Sequence, residues 1–367
     1  MAACISRPTA FTFAHPVIAL IAATAALLFA SAARAQGACG ADINRDGVVG
    51  PADLSQLLGA WGACSNCTAD TNLDGAVNAA DLTVVLANWG ASCAPLTWAT
   101  TLEYSPNPAV VTSAAMRQAI AATGRPWRVR TNASPQIEML LVPPGTFQMG
   151  CSSSIQAGCA TDEVPVHAVT LTSAFYLGRY EVTQAQWLAV VGLNPSFFQA
   201  PNYPNSGNRP VERLSQIQAA SFAASSGLRL PTEAEWEYAY RGGTTTAYHS
   251  TPRAPMGSDD QNAVVNIGWI EANSSGQTHI VGGLAPNALG FHDMSGNVYE
   301  WCSDWYGPYS ASPQTNPTGG SSASGERVAR GGSYNLPPYY AGASKRFKFL
   351  PNYQFSPIIG VRVARNP

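Results

Sequence analysis

Charge is scarce in this chain. Only 11% of its 367 residues are Asp, Glu, Lys or Arg, against roughly a quarter in an ordinary soluble domain. The formal net charge is -2, and the basic residues are scattered. No basic stripe exists to follow a phosphate backbone, which excludes nucleic acid as a partner. Catalytic motifs are missing as well: there is no GxSxG, no P-loop and no GxGxxG. The five histidines (His15, His167, His249, His279 and His292) contain neither HExxH nor a close pair, so the familiar zinc spacings are absent. No apolar run of 18 residues occurs after the first 35, so no later segment reads as a membrane-spanning helix. No cysteine follows Cys302.

What is present begins with an address. Arg7 supplies a positive start, Val17 to Ala33 is apolar and small, and Ala33-Arg34-Ala35 offers an A-x-A cleavage site before Gln36. Residues 1–35 therefore read as a signal peptide, with an uncleaved anchor as the alternative. The expected location is secreted, periplasmic or cell-surface, with no membrane contact after cleavage and with disulfides permitted. Seven cysteines remain in the mature chain: Cys39, Cys64, Cys67, Cys93, Cys151, Cys159 and Cys302. Six sit in local pairs, and Cys302 is left over. The 33 Gly and 27 Pro point to a loop-rich fold.

The first mature segment is a repeat. Asp42-Ile-Asn44-Arg-Asp46-Gly47-Val48-Val-Gly50-Pro-Ala-Asp53 returns as Asp70-Thr-Asn72-Leu-Asp74-Gly75-Ala76-Val-Asn78-Ala-Ala-Asp81. Oxygen donors fall at loop positions 1, 3, 5 and 12, Gly stands at 6, and Val48 and Ala76 can give their carbonyls at 7. A hard cation needs six to eight oxygens, and this EF-hand rhythm points them inward, so calcium is the expected cofactor. Asp rather than Glu at position 12, and Gly50 at position 9, weaken the expected affinity. Leu54, Leu57, Leu58 and Trp61 then follow a helical stripe, echoed by Leu82, Val85, Leu86 and Trp89. Gly62 and Gly90 are placed to end those helices. The two stripes are expected to pack on each other, with Cys39–Cys64 and Cys67–Cys93 as staples.

Paired loops of this kind resemble the dockerin module over residues 36–93. The resemblance implies a small all-α unit and a cohesin-like or cell-surface protein partner. Pro51-Ala52 and Ala79-Ala80 stand at the positions that help dockerins choose that partner, and these small residues leave it open. Residues 94–137 read as linker and lead-in, with a short helix from Ala114 to Ala122 between prolines.

The rest, 138–367, carries strand patterns at Glu138–Val142 and Val166–Tyr180, the first ending at Pro143-Pro144-Gly145. Thr183 is a candidate helix cap. Thr232 with Glu235 forms a capping box, and Glu233, Glu235 and Glu237 suit the positive end of a helix. Asp293 and Glu300 flank a Gly- and Asn-rich turn that can curl around a cation.

Three stretches, "RLPTEAEWEYA", "NALGFHDMSGNVYEW" and "RVARGGSYN…GVRVA", resemble the formylglycine-generating enzyme (sulfatase-modifying factor) family. That implies an irregular α+β fold related to C-type lectins, with little regular secondary structure. It also implies calcium at Asp293, Gly296 and Glu300 with the carbonyls of Met294 and Val298. A second calcium site would start at Asn266 and Ile267, with Asn273 as a candidate for its later ligand. Active members of the family use two cysteines after the G-G-S motif to bind copper and oxidise a substrate cysteine. Here the motif is Gly331-Gly332-Ser333, and the two positions read Leu336 and Ala341, which form no thiolate. Tyr299 stands where the family often has Trp. No catalytic residue is assigned, and copper is not expected.

The reading is therefore an exported, calcium-stabilised binding module on an enzyme's fold. Its face would carry Ser333, Tyr334, Asn335, Tyr339 and Tyr340, suited to a glycan or peptide. Pro337, Pro338, Phe347, Phe349, Tyr353 and Phe355 lie in the same stretch. An oxidase, or another enzyme with a non-standard centre, is the alternative. A third reading makes 36–93 a tether and the large domain a spacer.

Overall fold

The computed structural model describes residues 38–367 except 65–66, 73, 91–92, 94–95, 152–157, 253, 255 and 355. The export signal and Phe355 lie outside the described residues. Among those described, no helix is long and apolar enough to cross a membrane.

The twin loops each feed one helix, α1 (Pro51–Gly59) and α2 (Ala79–Ala87). Pro51 at the first helical position suits a helix start, because its missing N–H has no partner there anyway. Two-residue strands β1 (Gly62–Ala63) and β2 (Ala76–Val77) pair antiparallel. Both helices stop before the expected glycines, with Ala60 and Asn88 as C-caps. The expected stripe packing holds only in part. Leu57 and Val85 are buried beside Ala41, Val49, Val77 and Val84, whereas Leu58, Trp61, Leu86 and Trp89 are about half exposed. The expected staples are corrected: Cys64 pairs with Cys67, which excludes both Cys39–Cys64 and Cys67–Cys93.

The segment 94–137, expected as linker and lead-in with a short helix, is structured and joins the main sheet. β3 (Ala99–Glu103), α3 (Ala114–Ala121) and β4 (Arg128–Thr131) precede β5 (Glu138–Val142), β6 (Gly145–Met149), β7 (His167–Leu171) and β8 (Phe175–Gly178). A five-stranded sheet runs β16-β8-β5-β4-β3, where β16 is Ala364–Arg365. The domain therefore begins well before residue 138. The prolines between these elements mark turns rather than a break in the fold.

Helices α4 (Gln184–Val191), α5 (Gln216–Ser225) and α6 (Glu233–Arg241) follow. Thr183 and Thr232 cap α4 and α6 with reciprocal capping boxes through Gln186 and Glu235. Glu233 and Glu237 do more than complement the helix end. They turn inward to arginines, Glu233 to Arg330 and Arg346, Glu237 to Arg241 and Arg330.

The remaining strands are short: β9 (Gly268–Trp269), β10 (Ser295–Gly296), β11 (Tyr299–Trp305), β12 (Gln314–Thr315), β13 (Arg327–Arg330), β14 (Phe347–Phe349) and β15 (Ile359–Gly360). The order β14-β13-β11-β15 makes a second sheet, and β12-β7-β6 a third. Among the described residues helix accounts for 23% and strand for 21%, so much of the fold is held by loops and buried side chains.

Candidate functional site

The twin loops repeat a common set of backbone hydrogen bonds. In the first, Asp53 accepts from the backbone N–H of Asn44 (3.0 Å) and Gly50 (2.7 Å), and Asp42 from Gly47 (3.0 Å). In the second, Asp81 accepts from Asn72 (3.0 Å) and Asn78 (2.9 Å), and Asp70 from Gly75 (2.8 Å). Asn44 and Asn72 each accept from the N–H two residues on, and Asp46 and Asp74 do the same for Val48 and Ala76. Position 12 thus ties both ends of each loop while positions 1, 3 and 5 curl over it.

The electrostatics of this curl are unfavourable as they stand. Carboxylate oxygens of Asp70, Asp74 and Asp81 lie within 4.8 Å of one another. Burial and the neighbouring Asp81 push Asp70 above its ordinary value against the pull of the Gly75 N–H. Asp42 is raised in the same way, by burial first and by Asp53. One oxygen of Asp42, Oδ1, is buried without any partner. Like charges this close are repulsive unless a cation or a proton sits between them. The donor set, all oxygen, suits a hard cation. Of the two position-7 residues, Val48 is exposed and Ala76 pairs with Ala63.

The Asp293–Glu300 turn is built by close backbone approach. Across β9 and β10, Gly268 pairs with Ser295 and Gly296 with Trp269, and a Cβ on either glycine would lie 2.0 Å from its partner's carbonyl oxygen. Asp293 and Asn297 hold left-handed backbone (φ +56° and +55°) on either side. Asp293 Oδ2 accepts from the Gly282 N–H at 2.6 Å, and Oδ1 is buried without a partner. Glu300 does not face an open space. Arg362 donates to both its oxygens (2.7–3.0 Å) and Trp236 Nε1 donates at 2.6 Å. Met294 and Val298 are fully buried.

Glu181, which the sequence did not single out, joins this cluster. It is buried and accepts from the Val298 N–H (3.1 Å) and Asn297 Nδ2 (2.6 Å). Glu181, Asp293 and Glu300 thus act on a single guanidinium, Arg362. Burial, together with Asp293 and Glu300, drives Glu181 well above its usual value, and burial raises Asp293 to about 6. Three acids against one fixed cation, with a bare Asp293 oxygen, is a donor set that fits a further cation. The only trace of Glu181 in the sequence is a charged residue next to the Thr183 cap.

The second expected site is less developed. Asn266 is exposed and Ile267 buried. Asn273 spends its side chain on the chain itself, donating to Val265 and Gly268 carbonyls (both 3.1 Å) and accepting from the Ile270 N–H (2.8 Å). Of the histidines, His249 and His292 are buried and pushed down to about 4 by burial. His279 stacks on Trp269 with centroids 3.8 Å apart. His15 lies outside the described residues.

Around the G-G-S motif the structure is apolar and tightly tied. Ala341 is buried with Tyr248, Val264, Ile267 and Ile270. Its carbonyl lies 2.9 Å from the Tyr240 hydroxyl and 3.0 Å from the Ser295 hydroxyl. Leu336 is half-buried against the main core, and its carbonyl accepts from the Glu271 N–H at 3.0 Å. Ser333 is buried and bonds Asn335 (2.8 Å). Tyr334 is a packing residue, edge-on to Phe198 at 5.2 Å, whereas Tyr339 and Tyr340 reach the surface. From Tyr340 an aromatic row continues through Phe347 and Phe349 to Tyr353, backed by Tyr299. Cys302 is free and fully buried, and burial pushes its thiol well up, which makes it an inert core residue.

Residues 127–367 match the sulfatase-modifying factor enzyme 1-like domain family. The chain is 30% identical over 256 residues to the formylglycine-generating enzyme of Thermomonospora curvata, covering 53% of this chain and 82% of that protein. It is 30% identical over 285 residues to the chaperone protein LppX of Paenibacillus barcinonensis, covering 64% and 91%. The similarity to the serine/threonine-protein kinase pkn1 of Chlamydia pneumoniae is 33% over 220 residues, 54% of this chain and only a third of the kinase's length. Among solved structures, Treponema denticola variable protein 1 superimposes with a TM-score of 0.55 at 27% identity, over 64% of this chain and 97% of that one. PvdO from Pseudomonas aeruginosa gives 0.52 at 27% identity, over 63% and 95%.

Proposed function

This chain belongs to the sulfatase-modifying factor enzyme family, and from that premise we propose that it is an exported, calcium-holding binding protein that has given up the family's thiol oxidation. One observation carries the reading. Where two cysteines would bind copper, Leu336 packs on the core and Ala341 is sealed among apolar residues with its carbonyl held by Tyr240 and Ser295. Neither side chain gives a sulfur ligand or a nucleophile. Cys302 does not replace them, because it is enclosed and its thiolate is disfavoured.

The binding face is the aromatic row from Tyr339 and Tyr340 to Tyr353, where half-buried rings offer flat area at low entropic cost to a glycan or peptide. The LppX relative, a chaperone by name, is consistent with a binding role on this scaffold. Calcium would be held by Asp42, Asn44, Asp46 and Asp53, by Asp70, Asn72, Asp74 and Asp81, and by Asp293 with Glu181 in the large domain. It would supply positive charge to carboxylates that otherwise repel. Residues 36–93 then tether the domain to a cohesin-like or cell-surface protein through the exposed faces of α1 and α2.

The test is direct. Purified protein with copper and a cysteine-containing sulfatase peptide should give no formylglycine by mass spectrometry, while a glycan and peptide array should give hits that Tyr340→Ala reduces. Turnover in the first assay overturns the proposal.

A further inference from the structure

We infer that residues 102–121 form a docking surface for the chain's own twin-loop module, and that this docking depends on cations in the loops. The inference rests on the calcium reading above. Both loops reach the large domain. Arg45, at loop position 4 between the donor residues Asn44 and Asp46, places its guanidinium 5.6 Å from the centre of the Tyr104 ring. Its backbone is left-handed (φ +62°), a conformation that a non-glycine residue holds only when the surrounding loop enforces it. In the second loop, the carbonyl of Asn72 accepts from Gln118 Nε2 of α3 at 3.4 Å. Each bridging residue is therefore a donor residue of a loop or its immediate neighbour.

The surface gripped is firm. Tyr104 follows edge strand β3, its hydroxyl donates to the Gly124 carbonyl at 3.1 Å, and its carbonyl accepts from the Trp127 N–H at 2.8 Å. The grip itself is sparse. A cleft of about 1010 Å³ remains between the module and this surface, with Arg45, Asp70 and Asp74 on one wall and Glu103, Tyr104 and Arg117 on the other. Docking through so few side chains is reversible by default.

The cation supplies the bias. With the Asp70, Asp74 and Asp81 oxygens within 4.8 Å of one another in the second loop, and Asp42 facing Asp53 in the first with one oxygen buried and unpartnered, an empty loop relaxes by spreading. That spreading displaces Asn72 and Arg45 from their partners. A filled loop holds both in place. The cation thus favours the docked arrangement by its differential affinity for it.

Hydrogen–deuterium exchange on the full chain, with calcium and with chelator, tests this. In the wild type, calcium should slow exchange about tenfold in both the loops (42–53 and 70–81) and segment 102–121. In Arg45→Asn/Gln118→Ala, which keeps every donor side chain and suits the left-handed backbone, only the loops should slow. Slowing of the loops alone in the wild type overturns the docking and leaves the calcium reading standing. Slowing of 102–121 that persists in the double variant overturns the route through Arg45 and Gln118. No slowing anywhere overturns both readings.

Discussion

Two regions of this molecule bury carboxylates, and they neutralise them by opposite means. The large domain carries most of its counter-charges in its own sequence. Glu300 is met by Arg362, Glu237 by Arg241 and Arg330, and Glu233 by Arg330 and Arg346, all nearly inaccessible to water. The twin-loop module brings aspartates together with backbone N–H groups, and among the described residues no Lys or Arg forms an ion pair with them, since Arg45 turns to the Tyr104 ring instead. Its counter-charge must come from solution. The difference teaches which part of the fold is self-sufficient and which is conditional on its surroundings.

The sharpest way to break the comparison is to make the large domain resemble the module. Arg362→Ala leaves Glu300, Glu181 and Asp293 buried with no fixed cation. Removing one partner of such a pair costs about 3–5 kcal/mol, so chemical denaturation should show a large loss. Adding Glu300→Gln should restore part of it. If Arg362→Ala is as stable as the wild type with calcium and with chelator alike, the arginine is not what neutralises this cluster.

Calcium removal is next in size. Ligand at a hundred times its dissociation constant stabilises by about 2.7 kcal/mol, so chelation should lower the stability of the module by that order and shift the large domain, most of whose buried acids keep their arginines, by less. Asp81→Asn, which keeps the shape of the side chain, should abolish the response of the second loop. A calorimetric scan in which both transitions fall equally would erase the distinction between the regions.

Glu212 sharpens the comparison, because it is held by neither arginine nor cation. It is fully buried and accepts from the Phe197 (2.7 Å) and Phe198 (2.9 Å) N–H groups, while its other oxygen has no partner. Burial raises it from 4.5 to about 7, with Arg213 and the two N–H groups opposing only in part. Between those values the folded state keeps a proton that the unfolded state has lost. Stability should therefore fall as pH rises from 4.5 to 7, by about 3 kcal/mol at 1.36 kcal/mol per unit. Glu212→Gln should flatten that slope; Asp304, raised to about 7 by burial and Glu233, leaves a remainder of the same sign.

How much of this was legible in the chain depends on the range of the interaction. The loops were, because every donor lies within twelve residues and the backbone N–H bonds are local. The caps at Thr183 and Thr232 were legible for the same reason. Glu181 was not, since its partners Asn297 and Val298 lie far along the chain and only the fold unites them. The inward roles of Glu233 and Glu237 escaped likewise, because a helix start accounts for acids without asking what lies opposite. Segment 94–137 was read as linker and lead-in, and its linker share was overestimated because proline density marks turns, which occur inside domains as well as between them. The local pairing Cys64–Cys67 escaped because symmetry between repeats suggested one staple each.

The smallest expected effect concerns the faces of α1 and α2. Leu58 and Trp61 on the first recur as Leu86 and Trp89 on the second, and all four are about half exposed although their pattern is that of a buried stripe. If packing retained them, Trp61→Ser with Trp89→Ser should cost what a core truncation costs, about 3 kcal/mol or more. Their exposure argues instead for a change within about 0.5 kcal/mol, with the calcium response of the module intact. Leu57→Ala, at the buried centre of the same helix, should cost about 2–5 kcal/mol and serves as the contrast. A module that tolerates the double tryptophan variant in calorimetry yet no longer adheres to its cell surface would assign these rings to recognition. A module that unfolds would return them to the core, and the tether through these helices would lose its basis.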